Sequence, residues 1–227
     1  MSLSFASTRA RSAILSRLRA AGPVELAAPD VAAYYATAAV SAVGALRERF
    51  IAQARGWRAE VIETDAAGWP AALASVLAAK NVRRLMAGRD TAIADALPSA
   101  TRDLALDWYD APIETLKPVL FDTVDAGITT TLGGIAETGS LVLWPDAREP
   151  RTLSLLPPIH IAVLREEALY STLHDVMQRQ QWATDLPTNA LLVTGPSKTA
   201  DIQRLLVYGA HGPRELVILL LRMEATA

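Results

Sequence analysis

Four apolar runs, at residues 141–144, 159–164, 190–193 and 216–221, limit what this chain can fold into. None alternates apolar and polar residues with period two, as a strand with one wet face does. Strands that read this way are buried on both faces, in parallel or mixed sheets covered by helices. Shorter apolar runs at 59–62, 82–86 and 104–108 alternate with helical segments near 71–79 and 91–97. Apolar spacing predicts two later helices. One covers 166–180, with Leu169, Leu173, Val176 and Met177 inward; the other covers 199–208, with Ile202, Leu205 and Leu206 inward. The expected fold is α/β: a three-layer domain over 57–227 built on a mixed sheet.

Residues 1–56 read as an N-terminal helical extension. Ser7 is placed to cap a first helix with Ile14, Leu15 and Leu18 on one face. Asp30 is placed to cap a longer one carrying Val31, Tyr35, Ala39, Val43, Leu46 and Phe50, which Gly56 ends. Pro145, Pro150, Pro157 and Pro158 make 145–158 a loop within the domain.

A length of 227 residues suits one ordinary domain with an extension. With no cysteine, disulfides and thiolate metal centres are excluded. The 22 basic and 24 acidic residues leave a net charge of −2, unlike the basic excess of a nucleic-acid binder. No apolar run reaches the roughly 18–20 residues of a membrane span. Arg9, Arg11, Arg17 and Arg19 precede any acid, so the N-terminus has the look of a transit peptide or, preferably, of a surface helix. A soluble, cytoplasmic protein is expected. Three scattered histidines show no metal-ligand spacing, and no G-x-G-x-x-G follows a strand.

Three segments combine glycine with polar residues at the joints where α/β sheets bind ligands, beyond the carboxyl ends of strands. Gly133–Ser140 holds Glu137, Thr138, Gly139 and Ser140. Glu137 there is either a carboxylate offered to a substrate or the solvated end of a tight turn. Thr194–Asp201 joins a strand to the expected helix from Thr199, an arrangement that favours anions. Gly195, Ser197, Lys198 and Thr199 are its candidate ligand contacts, and plain helix capping is the bland alternative. Gly209–Glu215 offers His211 as an acid–base group and Arg214 as a carboxylate clamp. Glu137, Lys198, His211 and Arg214 are expected to converge on one pocket. His160, at a strand start, reads as a satisfied structural residue.

At these residues the sequence resembles a known family. Ile135–Leu143 is similar to its I-A-E-T-G-T/S-L-V-L stretch, with Ser140 where threonine is commoner. Residues 155–161 are similar to L-L-P-P-x-H-I, 194–202 to T-G-P-S-x-T-A-D-I, and 209–216 to G-x-H-G-P-R-E-L. The resemblance is to the LUD-domain family, in its lactate utilization protein C (YkgG) type, and covers about residues 120–222. It implies a fold similar to the NagB/RpiA/CoA-transferase group and a part in oxidising L-lactate to pyruvate. It also implies partner proteins that carry iron–sulfur clusters, with no cofactor in this chain. The expected role is a non-autonomous subunit that binds a small anion such as lactate, with a homo-oligomer possible. The alternatives are a sensor of a phosphorylated or carboxylated metabolite, and a CoA-transferase-like enzyme with Glu137 as nucleophile.

Overall fold

The computed structural model describes residues 5–22, 27–36, 43–200 and 206–223. Backbone contacts divide the chain into two units, Met1–Ala39 and Val40–Ala227. The first holds helices α1 (Phe5–Ala21) and α2 (Val31–Ala36). Asp30 caps α2 as expected, accepting the Ala33 N–H at 2.9 Å. Residues 37–42 of the longer expected helix lie outside the described residues. Its last part is α3 (Val43–Gly56), which the sequence reading placed in the extension and which belongs to the second unit.

That unit is built on six parallel strands. They are β1 (Glu60–Thr64), β2 (Arg84–Gly88), β3 (Ala105–Tyr109), β4 (Ala126–Thr130), β7 (Ile159–Arg165) and β12 (Glu215–Leu221), in the order β1-β12-β7-β4-β2-β3. Central strands bury both faces. In β7, Ile159, Ile161 and Val163 join one core and Ala162 and Leu164 the other. The first core is covered by Leu73 and Leu77 of α4 (Trp69–Ala79) and Leu97 of α5 (Leu97–Ala100). The second is covered by Phe50, Ile51 and Ala54 of α3 and by Leu141 and Leu143 of β6 (Ser140–Leu143). Leu120 of α6 (Ile113–Asp122) and Leu153 of α7 (Thr152–Leu155) close that face further along, over Met86.

The mixed pairing sits in a second sheet, of order β8-β5-β6-β9, rather than in the main one. It comprises β5 (Gly133–Ile135), β6, β8 (Leu169–Tyr170) and β9 (Leu191–Val193). Two expected helices are replaced. Glu166–Ala168 is a single 3-10 turn, and β8 then pairs in parallel with β5, Gly134 opposite Leu169. The helix α8 (Leu173–Arg179) starts only after Thr172, whose hydroxyl accepts the Asp175 N–H, and Met177 faces solvent. The expected helix from Thr199 is a strand pair instead, β10 (Lys198–Ala200) with β11 (Leu206–Tyr208). Lys198 lies opposite Tyr208 and Thr199 opposite Val207 in an antiparallel pair. Asp201, Ile202 and Leu205 lie outside the described residues. Among the described residues no helix is long and apolar enough to cross a membrane.

Candidate functional site

Three of the motif stretches are stapled to one another by backbone hydrogen bonds. The Ser197 N–H donates to the Pro213 carbonyl at 2.8 Å, and the Gly209 N–H to the Ser197 carbonyl at 2.9 Å. The Arg214 N–H reaches the Pro158 carbonyl, just before β7, at 2.8 Å. Gly195 has φ +78°, and a Cβ there would lie 2.2 Å from the Trp57 carbonyl oxygen, so only glycine fits. The segments enclose a cleft of about 180 Å³ lined by His160, Thr194, Gly195, Ser197, His211 and Gly212, among others.

His160 is the most deeply buried polar residue lining this cleft, 1% exposed against 3% for Ser154. Burial alone pulls its pKa down to about 4, so the ring is neutral at pH 7. Its Nε2 lies 2.9 Å from the Thr129 hydroxyl, whereas Nδ1 has no partner among the described residues. The expectation of a satisfied structural histidine is therefore half met. Two tautomers are compatible with the Thr129 contact. If Thr129 donates to Nε2, the Nδ1–H is left over as a donor; if Nε2–H donates to the threonine oxygen, the Nδ1 lone pair is left over as an acceptor. In either case the buried, uncharged imidazole keeps one nitrogen unbonded.

A chain of hydroxyls approaches the same cleft. Thr138 Oγ1 lies 2.8 Å from Ser140 Oγ, which lies 2.5 Å from Thr194 Oγ1 on the cleft wall. Gly139 makes the turn between β5 and β6 at φ +70°, seated on α3 where a Cβ would come within 2.3 Å of the Ala54 nitrogen. Glu137 stands exposed on that turn, its N–H bonded to the Ser171 carbonyl at 3.1 Å. Lys198 is exposed with its ammonium 5.2 Å from the centre of the Trp57 ring. Thr199 sits in β10. Arg214 lines a separate cleft that shares only Pro196 and Leu216 with the first. The structure thus brings together Gly195, Ser197 and His211 and leads Thr138 and Ser140 towards them. Glu137, Lys198, Thr199 and Arg214 are not among the lining residues of this cleft.

Residues 47–221 match the family model of the LUD domain. The chain belongs to the LUD-domain family. It is 34% identical over 216 residues to the uncharacterized protein NMB1437 of Neisseria meningitidis serogroup B, covering 92% of each chain. It is 28% identical over 174 residues to lactate utilization protein C of an Exiguobacterium species, covering 74% of each. Among solved structures, a DUF162 family protein from Deinococcus radiodurans superposes with a TM-score of 0.60 at 24% identity, over 80% of this chain and 99% of the other. That likeness concerns the fold.

In this LUD domain the motif cleft lies at the amino ends of β7 and β12, with only β9 running into it. The carboxyl ends, where a ligand was expected, carry a different crevice that sequence reasoning missed. The neighbours β2 and β4 send the chain in opposite directions there, and the 146–151 loop lies across them. A Cβ on Gly88 would fall 2.3 Å from the Arg148 carbonyl oxygen. Glu149 spans the crevice, taking the Thr130 N–H at 3.0 Å on Oε1 and the Thr130 hydroxyl on Oε2. Burial raises its carboxyl above the usual glutamate value, against the pull of the two Thr130 bonds. No local pattern in Arg148-Glu149-Pro150 marks this acid; only the strand order does. Among the described residues no cluster of three or more His, Asp or Glu side chains is placed to hold a metal ion.

Proposed function

We propose that this LUD domain takes part in lactate utilization by holding a three-carbon hydroxy or oxo acid in the motif cleft. The relatives named lactate utilization protein C support the pathway. The observation that carries the ligand is the unpartnered, buried Nδ1 of His160, a residue of the cleft lining. A volume of about 180 Å³ leaves room for a small acid. With its proton on Nδ1, the neutral His160 ring donates to an oxygen of the ligand, and the Thr194 and Ser197 hydroxyls take others. His211, at the exposed rim, is the acid–base candidate. Glu137 and Lys198 receive no direct contact in this reading; Lys198 contributes positive potential near the entrance.

Oxidising lactate to pyruvate removes two electrons and two protons. A sequence without cysteine offers no thiolate for a cluster, and the family resemblance implies that partner proteins of the iron–sulfur class take the electrons. The chain's own work is to bind and orient the acid. Calorimetric titration with L-lactate, pyruvate and propionate tests this, with His160→Phe and Ser197→Ala as variants. Saturable binding of lactate or pyruvate, stronger than that of propionate and weakened at least tenfold by either variant, is expected. Absence of saturable binding, or binding indifferent to both variants, overturns the ligand. Lactate-dependent dye reduction by this chain alone, equal to that of the chain with its partners, overturns the division of labour.

A further inference from the structure

The end of α3 holds a backbone outlier. The Arg58 N–H donates to the Arg55 carbonyl at 2.9 Å and the Ala59 N–H to the Ala54 carbonyl at 3.0 Å, the paired bonds of a Schellman cap. The turning residue of such a cap lies in the left-handed region and is usually glycine, because a Cβ is penalised there. Here it is Arg58, with φ +68°. A penalised arginine where glycine would serve points to a use for the side chain.

That side chain enters the second cleft. Its guanidinium lies over the Tyr208 ring, 4.8 Å from the centroid. The cleft, about 330 Å³, is lined by Arg58, Glu60, Lys80, Tyr208, Arg214 and Glu215, besides the shared Pro196 and Leu216. Two carboxylates oppose an anion there, and Lys80 binds both of them, 2.8 Å from Glu60 and 2.8 Å from Glu215. Burial is the largest single influence on the ammonium and lowers its pKa, but the contacts with both carboxylates together outweigh it and leave the pKa raised. The two arginines are left as the cations with donors to spare. Arg58 is exposed and bound through its π-face contact; Arg214 is 65% exposed with Nε 3.8 Å from Glu215.

We propose that this second cleft is a phosphate-monoester site in which the Arg58 and Arg214 guanidinium groups together hold the dianion. Two forked, permanently charged donors match the oxygens of a phosphate. Tyr208 positions Arg58, and Lys80 offsets the acidic wall. The site does not depend on what the motif cleft holds.

Calorimetric titration of the full chain with glycerol 1-phosphate tests it, with inorganic phosphate, acetate and glycerol as comparison probes. The variants are Arg58→Gly and Arg214→Gln, each also followed by thermal unfolding. Saturable binding of the ester is expected, at least tenfold tighter than acetate and at least tenfold weaker in each variant. Arg58→Gly is expected to hold or raise the melting temperature, because glycine accepts the left-handed backbone. The proposal is overturned if the ester binds no better than acetate, if binding survives both variants, or if Arg58→Gly lowers the melting temperature with ester binding intact. Tight binding of inorganic phosphate alongside a weak ester overturns the monoester assignment.

Discussion

Replacing His160 by phenylalanine removes both ring nitrogens while keeping a ring in the core, and it changes how stability responds to acid. The native imidazole titrates at about 4, against 6.5 when unperturbed, because it is fully buried. The unfolded chain therefore binds a proton more readily than the folded one. Stability is complete above pH 6.5 and is lost as the pH falls towards 4. At about 1.36 kcal/mol per pH unit, the loss is about 2 kcal/mol by pH 5 and about 3 kcal/mol once both forms are protonated. Glu149 works in the opposite sense, since its raised pKa makes the folded state the better proton binder as pH falls. The comparison with the variant isolates the histidine. Urea unfolding of the native chain and of His160→Phe between about pH 4 and 7.5 should show a steeper acid loss in the native chain by that amount. Parallel curves would refute the buried neutral imidazole and with it the donor assigned to the motif cleft.

Glu149→Gln should remove the decline in stability that the native carboxyl causes as pH rises from the ordinary glutamate value towards neutrality, read from the same urea series. Gly195→Ala should cost at least about 1–2 kcal/mol, from left-handed strain and the contact with the Trp57 carbonyl, and should weaken any ligand of the motif cleft. Phe50→Ala, at a fully buried side chain of α3, should cost about 3–5 kcal/mol. A loss near zero would show that α3 is not part of the core of the second unit.

The sequence declared its strands where burial on both faces left only apolar residues, as in β7 and β12. It hid β4, because Ala126–Thr130 is small and threonine-rich although it is central in the sheet. The spacing of Leu169 and Leu173 imitates a helix, yet Leu169 is held in β8 by pairing with Gly134, a partner far away in the chain. Likewise Thr199 carries good capping chemistry, but pairing with Val207 decides its conformation. At the site, the resemblance picked out the stretches containing Gly195, Ser197 and His211, which do share a cleft. It could not show that Arg214 faces a neighbouring cleft, or that His160 keeps a nitrogen unsatisfied, because both depend on side-chain directions set by the sheet. Glu149 and Arg58 were illegible for the same reason: one matters through strand order and the other through a left-handed φ.

The most direct measurement is of the imidazole nitrogens themselves, by nitrogen-15 magnetic resonance of the histidine-labelled chain at neutral pH during titration with L-lactate or pyruvate. The account predicts a neutral His160 ring protonated on Nδ1, and a saturable shift of that resonance as the acid binds. A proton found on Nε2, or a His160 signal unmoved by either acid, would contradict it.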